Sequence, residues 1–131
     1  MKRLIFVTLF VMGWFVTAVA QNAKVIALVN KASWCHVCKE NGPRVEKDLM
    51  PMMMQNKNVL MVVNDLSDDK SMKDSHPMIE KAGITSFAKA NKATGMIYFL
   101  DAKNKKLISK ISLARSNEDI KMAFMNAVSK K

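Results

Sequence analysis

Lys24-Val25-Ile26-Ala27-Leu28-Val29-Asn30 runs through Lys31-Ala32-Ser33 into Trp34-Cys35-His36-Val37-Cys38-Lys39, and this stretch decides the fold. Its first half is an apolar run bounded by polar residues, the pattern of a buried strand. Its second half holds the only two cysteines of the 131-residue chain, separated by two residues. That spacing lets a disulfide join the last loop residue before a helix to the helix's first turn. A thiolate at the loop position is stabilised by unpaired backbone N–H groups and the positive end of the helix dipole. A dithiol–disulfide switch is the simplest function such a pair can have.

Downstream, Cys38, Val45, Leu49 and Met52/Met53 recur at helical spacing, so a helical segment is expected to about residue 55, with Pro43 and Pro51 each bending or interrupting it. Val59–Val63 is a second short apolar strand. Asn64–Ser75 reads as a polar surface loop. His76-Pro77 is expected to open a helix that Gly83 ends after Ala82. Thr85–Thr94 is polar and carries no clear element. Met96–Leu100 is a third strand, Asp101–Lys106 a turn, Leu107–Leu113 a fourth strand, and Asn117–Val128 an amphipathic closing helix. The first crossover favours a right-handed parallel strand pair, and the last two strands are close enough for a hairpin. The expected fold class is α/β, with a mixed central sheet of about four strands flanked by helices.

The N-terminus reads as a targeting segment. Met1-Lys2-Arg3 is basic, Leu4–Val19 is almost wholly apolar, and Ala18-Val19-Ala20 is a small-x-small cleavage pattern. The expectation is a signal peptide at 1–20, cleaved before Gln21, and a single domain at 21–131. An uncleaved anchor is the competing reading, disfavoured by the shortness of the apolar run. Export to a periplasmic-type compartment permits disulfides to persist. Yet a bond closing so few residues removes little chain entropy, so chemistry explains the pair better than stapling.

Removal of Lys2 and Arg3 leaves 19 Lys+Arg against 11 Asp+Glu, from the 21 and 11 of the full chain. The lysines are dispersed, without an arginine stripe or interleaved aromatics. A solvated basic surface is therefore expected, and no nucleic-acid partner.

The element order, with the Cys-x-x-Cys ending the first strand and opening the first long helix, resembles the thioredoxin fold. Ala32-Ser33-Trp34-Cys35-His36-Val37-Cys38-Lys39 resembles the thioredoxin signature Ala-x-Trp-Cys-x-x-Cys-Lys, and Pro43 falls where thioredoxins carry a helix-kinking proline. Phe99-Leu100-Asp101 with Lys103-Asn104-Lys105 resembles the strand and turn of exported thioredoxin-like proteins. The resemblance implies a thiol–disulfide oxidoreductase. Cys35 would be the exposed nucleophile, Cys38 the more buried resolving cysteine, and Trp34 an apolar lid for docking. His36, Val37 and Lys39 would tune the pair. Substrates would be disulfides of other envelope proteins, electrons would come from a membrane or envelope dithiol donor, and the protein would act as a monomer. No nicotinamide or flavin motif is present, so no cofactor is expected.

Two departures from the family pattern stand out. The usual cis-proline opposite the cysteines is missing from Ala93-Thr94-Gly95-Met96. Gly95 is the candidate for that position, able to bring backbone close to the sulfurs and offer pairing groups to a peptide. The family's buried acid, six residues before the first cysteine, is replaced by Val29, leaving Lys31, Lys39 or water to move protons. Two alternatives come from other classes. Met50, Met52, Met53 and Met54, with further thioethers from Met61, Met72, Met78 and Met96 and with Cys35, Cys38 and His76, are soft enough to handle Cu(I), although methionine at helical spacing more often fills a core. A non-catalytic binding module that keeps the fold is the other. No resident metal site is expected.

Overall fold

A computed structural model describes residues 22–130. The signal peptide expected at 1–20 lies outside the described residues. Val25–Lys31 forms β1 at the centre of a four-stranded sheet. Helices α1 (His36–Asp48) and α2 (Met50–Gln55) carry the chain to β2 (Val59–Asp65), which pairs parallel to β1. Helices α3 (Asp69–Lys81) and α4 (Thr85–Ala90) lead to β3 (Met96–Asp101), antiparallel to the other edge of β1. The hairpin strand β4 (Leu107–Ser112) and the closing helix α5 (Asn117–Ser129) complete the order, with strands arranged β2-β1-β3-β4.

The alternation of β1 builds two cores. Val25, Ala27 and Val29 point to one face, where Ile97 and Phe99 of β3 meet Val45, Leu49 and Met53 from the α1–α2 side and Ile120, Phe124 and Ala127 of α5. Ile26 and Leu28 point to the other, against Tyr98, Leu100 and the Ile79, Ala82, Ile84 and Ala88 of the α3–α4 side. Because β1 is covered on both faces, its sequence is a continuous apolar run. Burying each large side chain here contributes about 1.5–3 kcal/mol.

Three expectations need correction. The first helical segment is two helices meeting at Leu49. Pro51 occupies the first turn of α2, where its missing N–H costs nothing, whereas Pro43 lies inside a continuous α1. The polar stretch read as a loop to Ser75 is helical from Asp69, because Asp68 caps α3 by accepting the Ser71 N–H at 2.7 Å and Lys70 pairs with Asp74 one turn on. Consequently His76 and Pro77 do not open a helix but lie within one. Pro77 and Lys73, whose carbonyl would have accepted the proline's missing N–H, are both exposed, so that carbonyl lies on the solvent side of the helix. Thr85–Ala90, which carried no clear signal, is the short helix α4. Among the described residues no helix is long and apolar enough to cross a membrane.

Candidate active site

The site forms where β1 ends. Lys31 O accepts the Leu66 N–H at 2.8 Å, and Ser33 N–H donates to Ser67 Oγ at 2.8 Å, so the β2–α3 connection braces the loop before the cysteines. Cys35 is the N-cap of α1, and its Sγ accepts the backbone N–H of Cys38 at 3.2 Å. Cys35 and Cys38 are joined in a disulfide, with Cα atoms 5.2 Å apart. No acidic side chain sits in the first turn of α1 to oppose an anion there. When the pair is reduced, this geometry hands a Cys35 thiolate a ready hydrogen bond and the positive end of a 13-residue helix.

The order of exposure differs from expectation. Cys35 is only 6 % exposed, and Cys38 is half-buried. Cys35 is covered by the segment entering β3. A Cβ at Gly95 would stand 3.5 Å from Cys35 Sγ and 2.9 Å from Val37 Cγ1. Cys38 instead lines an open groove of about 450 Å³. Val29 forms part of its apolar wall, with Pro43 and Leu113. Lys31 and Lys39 reach this groove, but so do Asp65 and Glu46, which sequence reasoning did not single out. The signal for Asp65 was its register partnership with Lys31 across parallel strands, which becomes visible only once the strands are paired.

Gly95 has φ +72°, in the left-handed region, and a Cβ built there would stand 3.5 Å from Cys35 Sγ. Its pairing groups are not free, however. Its N–H donates to Asn30 O and its carbonyl accepts from Leu113 N–H, both at 2.8 Å. The neighbouring Thr94, half-buried, has no hydrogen bond among the described residues and so carries the unpaired backbone beside the disulfide. Trp34 is 61 % exposed and is not a core aromatic. His36 is also exposed and pairs with Glu40, Nε2 to Oε1 at 3.0 Å, an interaction along the outer face of α1.

The methionines divide by packing. Met53 is fully buried, Met50, Met52 and Met61 pack against the same core, and Met54 is exposed. His76 belongs to α3, which covers the opposite face of the sheet through Ile79, and lies within 3.9 Å of Glu80. The sheet therefore stands between the α3 side, with His76, Met72 and Met78, and the methionine cluster of residues 50–54, so His76 is not brought to that cluster, whereas Met50 lines the same groove as Cys38. Among the described residues no group of three or more His, Cys, Asp or Glu side chains is placed to hold a metal ion.

Fold and site together define a thioredoxin-fold domain whose paired sulfurs cap the first helix. Neither a protein-family model nor a curated protein matches the sequence. Solved structures do match. The chain is similar to a candidate protein disulfide isomerase from Bacteroides thetaiotaomicron, at 21% identity over 82% of this chain and 75% of that one, with a TM-score of 0.53. It is similar to a thioredoxin from Wuchereria bancrofti at 18% identity, over 85% and 86% of the two chains, TM-score 0.51. It is also similar to the oxidoreductase DsbH at 12% identity, over 88% and 79%, TM-score 0.52. These likenesses establish the thioredoxin-like fold.

Proposed function

We propose that this protein is an exported thiol–disulfide oxidoreductase that exchanges or reduces disulfides of other envelope proteins, acting as a monomer in a periplasmic-type compartment. The observation that carries the reading is the Cys35 Sγ placed to accept the Cys38 N–H at the N-terminus of α1. The solved structures of similar fold, described as a disulfide isomerase, a thioredoxin and an oxidoreductase, support it. The apolar, cleavable-looking N-terminus supports export.

In the reducing direction, the Cys35 thiolate attacks one sulfur of a partner disulfide. A Cys35–partner bond forms and the partner's S–S bond breaks, expelling a partner thiolate that takes a proton from water. Cys38 then loses its proton into the groove and attacks Cys35 Sγ. The Cys35–partner bond breaks as the intramolecular disulfide re-forms, the expelled partner thiolate takes a proton from water, and the partner leaves as a dithiol carrying two electrons. A membrane or envelope dithiol donor reverses the change on the protein. Trp34 and the free Thr94 backbone flank the incoming chain, one as an apolar contact and the other as a pairing edge.

Burial does not assign the nucleophile to Cys38, because attack needs an anion and the helix terminus favours it at Cys35. Trapping decides the assignment. Cys38→Ala is expected to accumulate mixed disulfides on Cys35 in envelope extracts, and Cys35→Ala to accumulate none. Adducts on Cys35→Ala alone would reverse the roles, and adducts on neither would remove the enzymatic reading.

A further inference from the structure

Asn30 is a polar residue with 0% exposure at the end of the central strand. A buried amide is costly unless each of its polar atoms has a partner. Asn30 Nδ2 donates to Asn91 O at 2.7 Å and to Ala93 O at 3.1 Å. Its Oδ1 accepts from Asn64 Nδ2 at 3.1 Å, and its backbone carbonyl accepts the Gly95 N–H at 2.8 Å. Backbone carbonyls only accept, so the nitrogen end of the amide must face Asn91 and Ala93. Asn64, also buried, is the register partner of Asn30 on β2 and fixes the oxygen end.

Three of these four bonds go to one short segment, residues 91–95, which has no helix or strand of its own. Its far end is tied to α4 by Asn91 Nδ2 donating to Phe87 O at 2.9 Å. Its near end is Gly95, against Val37 and Cys35. Between them lies Thr94, with its backbone unpaired. A leucine of similar size at residue 30 would suit an apolar core better; it would keep the backbone bond to Gly95 but lose both side-chain bonds to Asn91 and Ala93. Buried polar groups of this kind specify a geometry that packing alone leaves loose. No proline stiffens the segment, and among the described residues no peptide bond is cis.

We propose that Asn30, set by Asn64, is the positioning residue that fixes the 93–95 backbone over the Cys35–Cys38 pair and thereby sets the preference for peptide disulfides over small ones. This rests on the oxidoreductase reading. A peptide must pair with the Thr94 backbone as well as meet a sulfur, whereas a small symmetrical disulfide needs only the sulfur.

The test uses Asn30→Leu and, to avoid stranding the Asn64 amide, Asn30→Leu/Asn64→Leu, each assayed with a disulfide-linked peptide and with bis(2-hydroxyethyl) disulfide. Amide hydrogen exchange at Gly95 is measured in parallel, with Leu28 in β1 as the internal control. The expected result is a rise of about tenfold in KM for the peptide with kcat held, the scale of one lost hydrogen bond. The small disulfide should change less than about twofold, and Gly95 should exchange about tenfold faster. Equal losses on both substrates, or no loss on either, would overturn the positioning role, as would unchanged exchange at Gly95. A wild-type protein that reduces neither disulfide would overturn the oxidoreductase reading instead. Exchange at Gly95 would then judge the clamp alone, faster exchange supporting it and unchanged exchange overturning it.

Discussion

Gly95 lies against Val37 so closely that a Cβ at residue 95 would stand 2.9 Å from Val37 Cγ1 and 3.0 Å from Val37 Cβ. Neither atom is the end of a flexible chain, and Gly95 also has φ +72°. Alanine there meets both a left-handed backbone cost and a clash that moves the β3 approach off the disulfide. Gly95→Ala is expected to destabilise the protein by about 1–3 kcal/mol in urea denaturation. Val37→Ala in the same chain should recover part of that, through a coupling of roughly 1 kcal/mol. Purely additive effects would show that the contact does not limit the position. Gly95→Pro should be worse than Gly95→Ala, since proline fixes a negative φ and deletes the N–H given to Asn30. Writing the family's residue into this place does not restore the family's geometry.

Arg44 ties α1 to the segment between β4 and α5. Its Nη2 donates to Leu113 O at 2.8 Å, Arg115 O at 3.0 Å and Asn41 Oδ1 at 3.0 Å, and its Nη1 reaches Asn117 Oδ1. Leu113 in turn donates to the Gly95 carbonyl, so this guanidinium supports the site from behind. Arg44→Ala should lower unfolding free energy by about 2 kcal/mol, since it strands several carbonyl acceptors at once. Arg44→Lys should recover little, because one ammonium cannot cover a planar fork of contacts. A loss below about 0.5 kcal/mol on denaturation would mean water replaces the guanidinium freely.

How much of this was legible before the structure depended on where each residue's partners lie. The β1 strand, the cysteine pair and the closing helix are local patterns: a bounded apolar run, a fixed spacing, a 3.6-residue stripe. The first half of α3 was missed because it is polar, the one buried residue within the helix is Ile79, and its start depends on the Asp68 cap. Asn30 looked like the polar end of a strand, yet its partners Asn91 and Ala93 lie 61 and 63 residues away. The family pattern singled out Gly95. The engagement of its N–H was not readable, because that depends on which carbonyl faces it across the sheet.

The methionines test whether packing or ligand chemistry explains their number. Met53 has no exposure, whereas Met54, one residue on, is 66 % exposed. Met53→Ala should cost about 2–5 kcal/mol by leaving a cavity under α2. Met54→Leu should stay within about 0.5 kcal/mol of the parent and leave Cu(I) uptake, measured by competition with a chromogenic chelator, unchanged. A stoichiometric Cu(I) site that weakens in Met54→Leu would revive the copper-handling alternative.

Acid should loosen α3 through its cap. Asp68 accepts the Ser71 N–H, and that bond, with the Ser71 side chain and Lys70 adding to it, holds its carboxyl below the ordinary value of 3.8. A carboxyl lowered in the folded state is charged there while the unfolded chain already takes up protons. Its stabilisation is thus fully present above about pH 3.8 and is lost as pH falls through the still lower folded value. Asp68→Asn keeps a capping oxygen but cannot titrate, so the variant should show a shallower fall in thermal midpoint between pH 5 and pH 2, values chosen to bracket an ordinary Asp near about 3.9. Asp68→Ala should lower the midpoint at pH 7, where the charged cap is intact in the parent. Identical acid profiles for Asp68→Asn and the parent would mean that other carboxylates govern the acid limb and that the cap acts without its charge.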